Sequence, residues 1–285
     1  MVSFPISSAI QIAQECNILI PEEDVSKQPE KTSIFTLFSK LPYSYIVVLT
    51  TTFSMTYAAV NNENEFHLQY AVDYCELLNY ENIYTIATSH LYYTSFSNYA
   101  TFFIILTISI KTEISQGSFM FFIVLCCSLL IGSLTQLQWM GVNVYLYGCS
   151  GIAHSCAAMT LAHCILNFDL KMNDDCLLLK IPNVVWDLFG PIMYLCFLIN
   201  DLIGFFTSSN IAYETHFGSG ISAFLLSFAL FGHNKSWSLK RVLATQATSG
   251  AFFVLFVLSL AILYLTRGFP TNPACERQRE TSFSL

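Results

Sequence analysis

The sequence predicts an all-α membrane protein, and three observations carry the prediction. The 285 residues are 54% hydrophobic and only 11% charged, with a mean hydropathy of +0.54. A soluble domain carries about 25% charged residues, so this chain has too few charges to cover a water-facing surface. Seven apolar stretches approach the roughly 20 residues that a helix needs to cross a bilayer; they lie near 43–60, 84–110, 118–134, 140–167, 184–207, 212–232 and 247–266. No long hydrophilic segment separates them. The expected organisation is an N-terminal tail over 1–42, a membrane domain of seven spans over 43–267, and a C-terminal tail over 268–285.

Lysine and arginine set the orientation, because they collect on the cytosolic side. With a cytosolic N-terminus, the cytosolic segments hold Lys27, Lys31, Lys40, Lys111, Lys171, Lys180, Lys235, Lys240 and Arg241. The far side holds only Arg267, Arg277 and Arg279 in the tail, and the far-side loops near 61–83, 135–139 and 208–211 hold none. The expectation is N-terminus in and C-terminus out, the reverse of a seven-helix G-protein-coupled receptor. Residues 1–30 contain Glu15, Glu22, Glu23 and Asp24 and no arginine, unlike a mitochondrial presequence. The expected location is the secretory pathway or the plasma membrane.

Charge and cysteines exclude other classes. A net charge of −7 without a basic patch excludes a nucleic-acid partner. The ten cysteines include no CxxC pair and no zinc spacing, so no metal or cofactor is expected. Most cysteines fall inside apolar runs, where the residue behaves as a small hydrophobe. Cys75 and Cys275 lie outside the spans on the far side, placed for a disulfide or for two free thiols.

Polar residues inside a span point to function. Gly148-Cys149-Ser150-Gly151 opens a stretch rich in Ala, Ser, Cys and Gly, which lets a helix approach its neighbours closely; alone, it reads as a packing site with an incidental serine. His216 heads a second small-residue run, His216-Phe217-Gly218-Ser219-Gly220; alone, it reads equally as an interfacial histidine. Depth connects them. Ser150 precedes Lys171 by 21 residues and His216 precedes Lys235 by 19, which puts both about 30 Å above the cytosolic charges. A hydroxyl and an imidazole at one height suit a nucleophile and its base.

With these residues in place the chain resembles the rhomboid family of intramembrane serine proteases, nearest its animal secretase-type branch. Gly148, Ser150 and Gly151 match G-x-S-G. Tyr213 and His216, with Gly218 following, resemble the family's second motif. Leu166-Asn167, Gly132-Ser133-Leu134, and Glu113 with Gly117 resemble further marks, the last pair a turn between spans two and three. The resemblance implies a six-helix core plus one C-terminal helix, with Ser150 and His216 as a catalytic dyad unassisted by an acid. Single-span membrane proteins would be its substrates, entering between spans two and five. The family's W-R pair falls on Ile83-Tyr84. Its oxyanion-binding H-x-x-x-N falls on Ser97 and Thr101 in the ungapped register, with Asn98 or His90 recruited in a shifted one. The aromatic that stacks on the family's catalytic histidine is His154 here. These departures support an alternative, a catalytically impaired rhomboid-like pseudoprotease that binds transmembrane clients and controls their trafficking or degradation.

Overall fold

A computed structural model describes residues 42–62, 66, 69–72, 84–93, 96–139, 147–167, 183–207, 212–232 and 237–267. The described part is helical: α1 Tyr43–Asn61, α2 Thr85–Thr88 with a 3₁₀ turn Ser89–Leu91, α3 Phe96–Gln116, α4 Ser118–Trp139, α5 Ser150–Asn167, α6 Asn183–Thr207, α7 Tyr213–Leu230 and α8 Leu239–Arg267. Within α4, α6 and α8, the segments Ser118–Gln138, Leu188–Phe206 and Leu239–Thr266 are long and apolar enough to cross a membrane. The described residues are therefore all-α, and the chain has the composition of a membrane protein.

Each expected stretch coincides with helix, but the bounds differ: α3 runs on to Gln116, past the expected 110, and α8 begins at Leu239, before the expected 247. The second stretch is broken: α2 and the 3₁₀ turn end at Leu91, and Tyr92 and Tyr93 are non-helical before α3 begins at Phe96. The third runs one turn beyond the expected end, so residues 135–139 belong to α4 instead of a loop. The fourth begins at Ser150, and residues 140–146 lie outside the described residues.

Small residues put α5 and α7 at the centre. Only Ser150, Leu161, Ile165 and Asn167 of α5 reach its surface. Helix α7 packs on α4 and α5. A Cβ added to Gly132 would lie 2.9 Å from the Ser219 Cβ and 3.0 Å from the Thr215 carbonyl oxygen, and one added to Gly218 would strike the Thr135 side chain. Close approach of this kind replaces the hydrophobic drive that lipid removes. Gln136 Oε1 then accepts the Thr215 N–H at 3.1 Å and the Thr215 hydroxyl at 2.9 Å, serving the first turn of α7. Helices α6 and α8 lie outside, with Phe206 and Leu265 among the most exposed apolar side chains. Three cysteines depart from the expected burial. Cys149, Cys156 and Cys164 are buried, but Cys126, Cys127 and Cys196 are exposed on α4 and α6, since one face of an apolar helix can point away from its neighbours.

The other end is tied by Glu113. Pro42 gives α1 no side-chain cap. Instead the wholly buried Glu113 accepts the Ser44 N–H at 2.6 Å and the Tyr45 N–H at 2.9 Å. Gly117, at φ 88°, turns the chain from α3 into α4. Glu113→Ala leaves these donors unsatisfied, at about 1–3 kcal/mol for a buried group. A lower unfolding temperature in detergent, with unchanged helicity below it, is the expected result.

Candidate active site

The first turns of α5 and α7 meet the last two turns of α6 at one end of the bundle. Gly148 leads into α5 at φ 130°, a region L side chains rarely adopt, and its N–H donates to the Ser89 carbonyl at 2.8 Å. A Cβ on Gly151 would fall 2.9 Å from Nδ1 of His90. His90, fully buried, sits 2.7 Å from the Ser133 hydroxyl through Nε2. The 3₁₀ turn is thus fastened to the start of α5. The opening N–H groups of a helix have no intrahelical acceptor, and the half-buried Ser150 stands at that end of α5.

Ser150 and His216 are linked through His154. One turn along α5, His154 Nδ1 lies 2.7 Å from the Ser150 carbonyl oxygen. Its ring stacks on that of His216 at a centroid separation of 4.1 Å and an angle of 14°. Tyr213 meets His216 edge-on at 6.1 Å, with its ring against Gly204 of α6. Among the described residues, no hydrogen bond joins Ser150 Oγ to His216. Such bonds are often formed only once substrate is bound. Ser97, Asn98 and Thr101 lie on the first turns of α3, but their side chains fall outside the described residues, as do Cys75 and Cys275.

The sequence reading missed Asp201. This side chain of α6 is 3% exposed. Its Oδ2 lies 3.0 Å from Nδ1 of His216 and 2.8 Å from Nε2 of His154. The second contact is an ion-pair distance off the line of a hydrogen bond. A buried carboxylate requires compensation; here two imidazoles and the positive ends of two helices supply it. The signal was an acid within an apolar run, at a height the depth argument could have checked: Asp201 follows Lys180 by 21 residues, the interval that separates Ser150 from Lys171.

Ligand atoms of His154, Asp201 and His216 lie within 4.8 Å of one another, which raises the question of a metal. The ring planes answer it. An imidazole binds an ion through a lone pair in its own plane, and two nearly parallel, stacked rings direct those lone pairs along separate planes. A single ion could not satisfy both without unstacking them. The arrangement suits proton handling instead: a half-buried hydroxyl at a helix start, and an imidazole with a carboxylate behind it. Searches against protein-family models and against curated proteins return no match.

Proposed function

We propose that the chain is an intramembrane serine protease of rhomboid type, cleaving single-span membrane proteins with Ser150 and His216. The observation that carries the reading is the linkage Ser150–His154–His216 at the shared end of α5 and α7, where the motifs that suggested the family come together. The helix order, the Gly117 turn after Glu113 and the histidine stack four residues after Ser150 support a six-helix rhomboid-like core plus α8. The bilayer surrounds it, and no cofactor takes part.

The reaction is acyl transfer. Ser150 Oγ bonds to the peptide carbonyl carbon as its proton passes to Nε2 of His216, and the C=O π pair moves onto oxygen. First-turn N–H groups of α5 receive that oxyanion. The C–N bond then breaks, Nε2 returns the proton to the departing amine, and water releases the acyl chain by the same steps. The test is Ser150-dependent cleavage of a co-expressed single-span substrate with small residues near the far interface.

A client-binding pseudoprotease is the second reading. It is favoured by the missing Ser150–His216 hydrogen bond and by the departures at Ile83-Tyr84, Ser97 and Thr101. It predicts co-purification of transmembrane clients that is indifferent to Ser150→Ala, with no cleavage.

The distribution of basic residues supports a cytosolic N-terminus and a C-terminus in the lumen or outside the cell. In protease protection of membranes tagged at both ends, the N-terminal tag is expected to be digested from the cytosolic side and the C-terminal tag protected. The sequon Asn234-Lys235-Ser236 is expected to stay unglycosylated, and its modification would reverse the assignment.

A further inference from the structure

We propose that Asp201 is a positioning residue for His216, so that the base works within a Ser150–His216–Asp201 triad whose carboxylate is itself held by His154. The proposal rests on the serine-protease reading and departs from the acid-free dyad which the resemblance implies. An ionised carboxylate only accepts hydrogen bonds, so the 3.0 Å contact places the imidazole hydrogen on Nδ1 of His216. A neutral ring with its hydrogen there has its lone pair on Nε2, the tautomer able to take the Ser150 proton. When Nε2 gains that proton, the positive ring lies against a negative oxygen within a buried site, where such an attraction is weakly screened.

His154 completes the arrangement from the other side. Its Nδ1 faces the Ser150 carbonyl at 2.7 Å and its Nε2 faces Asp201 at 2.8 Å. The Ser150 contact is a hydrogen bond, and the Asp201 contact is a close polar approach off the line of one. The side chain therefore ties the backbone of the nucleophile to the carboxylate that orients the base, while its ring face fixes the plane of His216 by stacking. An aromatic hydrocarbon at this position could stack but could not hold Asp201. Tyr194 of α6, also buried, places its hydroxyl against Gly220.

The test uses full-length protein in proteoliposomes, a single-span substrate and a fluorophosphonate probe. Asp201→Asn keeps the shape but lets the amide N–H face Nδ1, moving the ring hydrogen to Nε2. The analogous change in a soluble serine protease lowers kcat by about 10⁴. The expected result here is a loss in kcat of about 10²–10⁴, KM within about twofold, and a parallel slowing of probe labelling at Ser150. His154→Phe, which stacks without holding the carboxylate, is expected to fall between wild type and Asp201→Asn. Should Asp201→Asn fail to fold, Asp201→Glu keeps the acceptor and is expected to exceed Asp201→Ala in turnover per labelled serine. Unchanged kcat and labelling rate in folded Asp201→Asn would overturn the proposal. A loss of folded yield with unchanged turnover per labelled serine would also overturn it, leaving Asp201 a structural residue. If wild type shows neither labelling nor Ser150-dependent cleavage, the protease reading fails separately and the triad falls with it.

Discussion

Ser150→Ala abolishes cleavage of a single-span substrate, His216→Ala abolishes it too, and the double variant is no worse than either: this is the largest effect expected. The nucleophile cannot attack without a base, and the base has no proton to take without the nucleophile, so the two losses do not add. In a soluble serine protease, losing either member alone costs on the order of 10⁶ in kcat, about as much as losing the whole unit. Expression and topology are expected to survive both changes. Ser150 is half-buried at a helix start, and alanine at His216 leaves the α4–α7 contacts at Gly132 and Gly218 in place. Ser97→Ala and Thr101→Ala are expected to cost less than the 10²–10³ or so typical of a lost oxyanion donor, because a hydroxyl reaches less far than the amide or imidazole it replaces. A larger loss in Asn98→Ala than in Thr101→Ala would show that the shifted register of α3 is the correct one.

Gly218→Leu is expected to cost the protein its fold. The position faces the Thr135 side chain and lies 3.1 Å, measured from an added Cβ, from the Cα of Gly132. Two backbones in direct contact cannot admit a side chain without moving apart. Overpacking a well-filled interior costs about 1–3 kcal/mol for a few added methylenes, and leucine against backbone lies at or beyond the upper end. Moving α7 away from α4 would also break the Gln136 contacts to Thr215, one residue before His216. Gly250→Leu on α8 is the control, since nothing lies within 4 Å of an added Cβ there. Size-exclusion profiles in mild detergent should show a monodisperse Gly250→Leu and an aggregated or absent Gly218→Leu.

The helices were legible because membrane burial writes itself into long apolar runs. The break after Leu91 was not, since Tyr92 and Tyr93 suit an apolar helix run and their non-helical backbone, extended at Tyr92, goes with tertiary contacts. Tyr92 is buried and stacks on Tyr147 at 5.6 Å, and the Tyr93 N–H is bound by the Thr56 hydroxyl at 3.1 Å. The extra turn of α4 was missed for a different reason. Gln136 and Gln138 read as loop residues, yet Gln136 is buried because its side chain serves the start of α7. At the site, Ser150 and His216 stood out by motif and by depth, and His154 by its spacing from Ser150. Asp201 carries no motif, and its partners lie 15 and 47 residues away in sequence. Only its height within an apolar run marked it, and that signal acquires meaning once α6 is known to end where α5 and α7 begin.

The most direct measurement is labelling of purified wild-type protein in lipid with a fluorophosphonate, followed by mass spectrometry of the modified peptide. It needs no knowledge of the natural substrate, because the probe reads only whether a serine is activated by a base. One adduct is expected, on Ser150, lost in Ser150→Ala and strongly reduced in His216→Ala. Absence of label on Ser150, in protein that is folded and correctly inserted, would contradict the protease reading and leave the client-binding pseudoprotease in its place.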